Sequence, residues 1–421
     1  MYSLKRFYGD RFDRMNAIVD SLAGRLTAYV DLIGAATLPL PDVCQAQGLP
    51  GTVCAVEGHR DARLFPATQS MDEAEALIEE RVRDLFSLDD SYAVSAQPHS
   101  ATQANHVVFR ALLDDGGKRV AGLLPNDGGH ISHKLGLPPS NEFVPFLISA
   151  AGIDYDSVAD VVHRARPTVV VVGGTSFTRE IDFLRMREIA DEVGAHLHAD
   201  LAHIAPFVAT GLHRPAFPFI DSATLDLSKN MRGPTGGILV YRERDRAHMR
   251  RAIFPLVQTS PSPVGLLAKA ACLTYWTSEG LSAYASSMVD TARALGARLA
   301  PMLGESVFGT TDTHLLLFDV SGVSADGRAA ETAFDGARIL VNRNQVPGDT
   351  RSPWSPSGIR LGSTVLAILG YTEDDVDALG DAMCSVLMGS DEHVETITRL
   401  LATYHCPLVN TASAPPSPNP T

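Results

Sequence analysis

Cysteine is scarce in this chain: Cys44, Cys54, Cys272, Cys384 and Cys406 are scattered over 421 residues. An odd number at such wide spacing fits reduced thiols better than a disulfide framework. The Asp and His residues also lack the close repeated spacing of a zinc site, so no metal is expected. Positive charge is short as well: 35 Lys and Arg stand against 49 Asp and Glu, a formal net charge of −14, and basic residues gather no further than His248–Arg251 (HMRR). Bulk attraction to nucleic acid or to an anionic membrane is therefore not expected, and an anionic ligand would need a local pocket. Long apolar runs are missing, so no segment is expected to cross a membrane. The opening MYSLKRFYGDRFDRMN has no apolar core of the export-signal kind, and a cytoplasmic location is expected. There is no internal repeat.

What the chain does have is an ordinary globular composition, 45% hydrophobic and 20% charged, at a length that supports two cores. Helical periodicity predicts helices over residues 14–33, 71–88, 156–165 and 183–193. Strands are expected at 119–123, 168–172, 196–200 and 236–241. Residues 37–65, rich in Gly and Pro, read as a long loop, a feature that in a compact enzyme is usually functional or interfacial. Strands alternating with helices predict an α/β fold with a mostly parallel sheet covered on both faces. Past Pro263 the pattern changes to long helices (264–277, 283–303) and then a smaller α+β region, with strands at 313–320 and 337–341, a helix near 326–334 and a last helix at 373–388. Four segments are expected: an N-terminal helix and loop (1–65), a large domain (66–262), interdomain helices with a small C-terminal domain (263–410), and a disordered tail (411–421).

The chemistry concentrates between Leu197 and Tyr241. There a strand ends on Asp200, His203 follows three residues later, and Lys229 is the lone lysine of a small-residue turn. That set suits pyridoxal 5'-phosphate (PLP). A lysine amine joins the cofactor's aldehyde, and a carboxylate keeps the pyridine nitrogen protonated. The stretch QPHSATQAN opens a helix with Ser100, Ala101 and Thr102, whose amides and hydroxyls form an anion cradle at the helix's positive end. Ser100, His130, Thr175, Asp200 and Lys229 all fall just after strands or at loop-to-helix turns, where ligands of such sheets sit.

Taken in order, the blocks QAQG (45–48), QPHSATQAN, GGHISH, MREIAD, HADLAH, SKNMRGPTGG and SGIRLG resemble serine hydroxymethyltransferase, a family of fold-type I PLP enzymes. The resemblance runs from about Leu32 to Met388. It implies a mixed, mostly parallel large-domain sheet with a smaller α+β domain, and a homodimer with shared active sites. It assigns Lys229 as the cofactor-linked lysine, Asp200 to the ring nitrogen, His203 to the ring oxygen and His130 to the ring face. Ser100, Ala101 and Thr102 would hold the phosphate, with Thr175 and Ser228 completing the cofactor set. Glu57 would be the acid/base carboxyl at the substrate and Arg360 the clamp for an amino-acid carboxylate, a pairing a guanidinium makes through parallel hydrogen bonds. Phe65 and Asn344 would line the substrate region, Asn344 toward tetrahydrofolate, the candidate co-substrate. Two bland readings compete: Arg360 as a structural ion pair and Glu57 as a solvated loop carboxylate. His99, His133, His196 and His198 read as structural.

Departures from the family pattern lie in the site rather than the scaffold. The Ser-Glu-Asn turn is Ala35-Ala36-Thr37, two tyrosines are Ala55 and Phe65, the histidine before the lysine is Ser228, and a later arginine is Thr235. Each lost polar contact is worth roughly 1–3 kcal/mol. The pattern implies a specialised relative with unchanged cofactor logic and an altered substrate pocket. The expected reaction is aldol-type, making or breaking the Cα–Cβ bond of a β-hydroxy-α-amino acid. A folate-independent threonine transaldolase and a PLP-binding protein without catalysis are the alternatives.

Overall fold

The computed structural model describes residues 10–51, 54–149, 152–404 and 406. The segment 411–421, expected to be disordered, lies outside the described residues, as does Thr52.

Seven strands form the central sheet: Tyr92–Ser95, Arg119–Gly122, Glu142–Pro145, Val169–Val172, His196–Asp200, Ser222–Asp226 and Gly237–Arg242. In space the order starts with Tyr92–Ser95, followed by Gly237–Arg242, Ser222–Asp226, His196–Asp200, Val169–Val172, Arg119–Gly122 and Glu142–Pro145. Only Gly237–Arg242 runs against its neighbours; every other pairing is parallel. The four valines of Val169–Val172 are all buried, as a central parallel strand covered on both faces requires. Asp154 and Asp182 cap the helices Tyr155–Ala165 and Phe183–Asp191 by accepting their first free amides, which fixes where each crossover turns back onto the sheet. Their apolar faces (Val158, Val162, Met186, Ile189) pack in the main core together with Ile78 and Val82 from helix Gln69–Phe86.

A second core gathers around a three-stranded antiparallel sheet, Leu315–Asp319, Gly358–Gly362 and Asn342–Asn344, with Gly358–Gly362 in the middle. Helices Ser278–Leu303, Gly327–Gly336, Glu373–Leu387 and His393–Thr403 cover it.

Three local expectations are corrected. The first helix stops at Ala28 rather than residue 33, because Val30–Asp31 leaves it to pair in parallel with Ile339–Leu340. Val30 and Leu32 thereby join the second core. The stretch read as an unbroken loop holds a helix, Pro41–Gln47, started by a proline whose missing N–H costs nothing at a helix's first turn, and a small hairpin, Gly58–His59 with Ala62–Arg63. Helix His393–Thr403 follows the one expected to be last.

Candidate active site

The parallel strands deliver their carboxyl ends to one edge of the sheet, and a cleft opens there. Asp200, the last residue of its strand, lines it with Ser100, Ala101, Thr102, His130, Ser228 and Lys229. The neighbouring strand contributes Asp226, and the following turn carries Ser228 and Lys229. Two helix starts face the cleft as well: Ser100 caps Ala101–Leu113 by accepting the Gln103 amide at 3.0 Å, and His130 caps Ile131–Leu135. Glycine is required just past the end of Val169–Val172. Gly173 has φ +112°, and a Cβ there would stand 2.1 Å from the Asp200 carbonyl oxygen.

Asp200 is 4% exposed, yet fully satisfied. Its Oδ2 accepts from Asn105 Nδ2 at 2.8 Å and faces His133 Nε2 at 3.0 Å, while Oδ1 accepts the Ala202 amide at 3.1 Å. Burial alone would raise its pKa. The His133 hydrogen bond and charge, with Lys229 and His130 nearby, outweigh that and hold the carboxyl well below the usual carboxylate range. Asn105 is aimed in turn by His198 Nε2 at 2.9 Å and donates to Ser132 Oγ at 3.0 Å; that hydroxyl pairs with His130 Nδ1 at 2.7 Å. Burial pushes His198 down to about 3, so it is neutral. His203 is likewise held well below its ordinary value by burial, and its buried Nδ1 has no partner among the described residues. His130, His133 and Asp200 also offer ligand atoms within 4.8 Å of one another, a grouping the spacing did not suggest; His130 Nδ1, His133 Nε2 and Asp200 Oδ2 are engaged in hydrogen bonds, while His133 Nδ1 is buried without a partner among the described residues.

Lys229 Nζ lies 3.2 Å from Asp226 Oδ2, and Ser228 donates to the other oxygen of that carboxylate at 2.7 Å. Arg360, from the second core, reaches across to the first. Its Nε donates to Asn342 Oδ1 at 3.1 Å and its Nη1 to the Thr175 carbonyl. Thr175 thus meets it through the main chain. No carboxylate among the described residues pairs with Arg360. Burial pushes the guanidinium down to about 10, where it still carries its charge at neutral pH. A sheltered cation without a counter-ion is costly unless an anionic ligand completes it.

Six of the sequence's candidates are not among the cleft's lining residues: Thr175, His203, Arg360, Glu57, Phe65 and Asn344. Glu57 sits beside the small hairpin with its carbonyl accepting the Leu64 amide at 3.0 Å, and Phe65 is 41% exposed. Asn344 donates to the Gln345 carbonyl at 2.6 Å on the strand that flanks Arg360's.

Sequence reasoning missed Asn105 and Asp226, and passed over His133 as structural although it pins Asp200. Asn105 lies 95 positions from the carboxylate it holds, and only its presence inside an otherwise apolar helix face hinted at a buried task. The donor set fits PLP. The opening amides of a thirteen-residue helix have no acceptor within it and suit a phosphate. An ionised, clamped Asp200 suits a pyridinium, and a lysine stands in the same cleft.

Comparison with known proteins agrees. The family model described as serine hydroxymethyltransferase matches residues 10–383. A serine hydroxymethyltransferase of Lacticaseibacillus casei is 33% identical over 372 residues, covering 86% of this chain and 89% of the relative. One from Lacticaseibacillus paracasei matches at the same 33% identity and coverage.

Proposed function

Since this chain belongs to the serine hydroxymethyltransferase family, whose members are PLP-dependent transferases of fold type I, we propose that it catalyses an aldol-type transfer on a β-hydroxy-α-amino acid. The substrate would be serine, glycine or a 2-substituted analogue, with tetrahydrofolate as the one-carbon carrier. The observation that carries this reading is Arg360, a sheltered guanidinium with no acidic partner among the described residues, reaching to the loop that follows the strand beside Asp200's.

Ser100, Ala101 and Thr102 would hold the cofactor phosphate, Asp200 the ring nitrogen, His203 the ring oxygen, and His130 would bound the ring face. Thr175 and Ser228 would complete that surround. When bound, PLP draws electrons from the bonds around the amino acid's α-carbon, which lets the Cα–Cβ or Cα–H bond break. Arg360 would grip the substrate carboxylate and so choose which bond stands in the reactive direction. Lys229 would hold the cofactor and carry protons to and from the substrate's α-carbon; Glu57 would do so at the β-hydroxyl or the folate side, with Asn344 nearby. Glu57 and Phe65 lie outside this chain's own cleft, which supports a homodimer in which each copy completes the other's pocket.

A folate-independent threonine transaldolase is the second reading, favoured by Ala55 and Phe65, which lack the hydroxyls expected there. Measuring serine cleavage with and without tetrahydrofolate, beside threonine cleavage with an added aldehyde acceptor, decides between them. Folate-dependent serine turnover supports the proposal; threonine turnover that needs only the aldehyde supports the second reading; neither activity leaves a cofactor-binding protein without catalysis.

A further inference from the structure

A second amine sits directly behind the cleft. Lys269 belongs to the largely apolar helix Pro263–Tyr275 and is only 3% exposed. Its Nζ donates to three main-chain carbonyls: Ala96 at 2.5 Å, Pro98 at 2.8 Å and Gly237 at 3.0 Å. Ala96 and Pro98 belong to the segment that leads into the Ser100 helix start. Gly237 opens the antiparallel strand lying against that segment, and its amide donates back to the Pro98 carbonyl at 3.1 Å. Three acceptors need three N–H donors, and among lysine's forms only the ammonium has them.

The packing leaves no slack. A Cβ on Gly236 would fall 2.3 Å from Lys269 Cε, and one on Gly237 would fall 2.5 Å from the Ser100 carbonyl oxygen and 3.0 Å from the Ala101 amide nitrogen. The lysine stem, the two glycines and the cradle backbone are therefore one stacked unit. By gathering the Ala96 and Pro98 carbonyls, Lys269 fixes the segment leading into the helix whose first residues, Ala101 and Thr102, line the cleft, and it places a buried positive charge behind a pocket that also holds the Asp226 carboxylate. Burial pulls Lys269 down to about 7, opposed by the carboxylates that face it, Glu75 from helix Gln69–Phe86 and Asp226 from the sheet.

We propose that Lys269 is the positioning residue of the anion cradle, setting affinity for the phosphate end of the cofactor through the main-chain carbonyls it gathers and without touching the ligand. This rests on the reading of the cleft as a PLP site.

The test compares PLP with pyridoxal, the same ring without phosphate. Full-length protein stripped of cofactor is titrated calorimetrically with each, as wild type, Lys269→Met and Lys269→Gln, with folding checked by circular dichroism. The expected result is a fall of at least tenfold in the PLP-to-pyridoxal affinity ratio for Lys269→Met. Lys269→Gln, which keeps two donors but no charge, falls in between. A folded variant with an unchanged ratio overturns the proposal, and so does an equal loss for both ligands, which marks Lys269 as ordinary packing. If wild-type protein binds neither compound, it is the cofactor reading of the cleft that fails.

Discussion

Removing the Arg360 guanidinium should separate substrate binding from cofactor binding. Its Nε and Nη1 are already committed to Asn342 and Thr175, which orient the group, and donors remain on Nη1 and Nη2 for a carboxylate. Hydrogen bonds to a charged group contribute about 1.5–3 kcal/mol each, so losing two of them costs roughly 3 kcal/mol at the low end. At 1.4 kcal/mol per decade, Arg360→Ala should lower kcat/KM by about 100-fold. Arg360→Lys restores the charge but not the planar fork and should recover only part of that. The assay is steady-state cleavage of the β-hydroxy-amino acid, read beside the visible absorbance of the bound cofactor, which both variants should retain. A KM for the amino acid within twofold of wild type in Arg360→Ala, with the cofactor in place, would refute the clamp. A loss of cofactor with substrate affinity intact would move Arg360's role to the wrong ligand.

Other outcomes follow from the same geometry. His133→Ala removes a partner from the buried Asp200 carboxylate and should cost about 1–3 kcal/mol of stability in urea unfolding, because the freed acceptor stays desolvated; a change under 0.5 kcal/mol contradicts the buried clamp. The folded-state pKa of Asp200 is depressed, so its contribution to stability is complete above about pH 4, the unfolded value, and is lost as pH falls below that; Asp200→Asn should flatten the acid limb of the stability profile. Gly237→Ala pushes a Cβ into the Ser100 carbonyl and Ala101 amide and should weaken PLP binding at least tenfold in the same calorimetric titration; wild-type affinity would show that the cradle can yield.

Much of this arrangement was legible in the sequence because it depends on local order. Val169–Val172 and His196–Asp200 announce buried strands by composition, and Ser100, His130, Asp200 and Lys229 each follow a strand or open a helix, so the convergence of parallel strand ends brings them together. Strand Ser222–Asp226 went unread because its buried Ser and Thr carry no apolar run; Ser222 is occupied by His196 and His198 at 2.8 Å each. Asn105 and Lys269 were hidden for a different reason. Their partners are distant in the chain, and each sits in a helix whose other residues say only that the face is buried. Glu57 and Phe65 show the limit of a single chain, since their expected roles depend on a second copy.

The most direct measurement is chemical. The purified protein, loaded with PLP and reduced with borohydride, is digested and mapped by mass spectrometry. The account predicts a phosphopyridoxyl group on the peptide carrying Lys229, and its disappearance, along with the visible absorbance, in Lys229→Ala. A modification found instead on Lys5, Lys118, Lys134 or Lys269, or an unchanged spectrum in the variant, would contradict it.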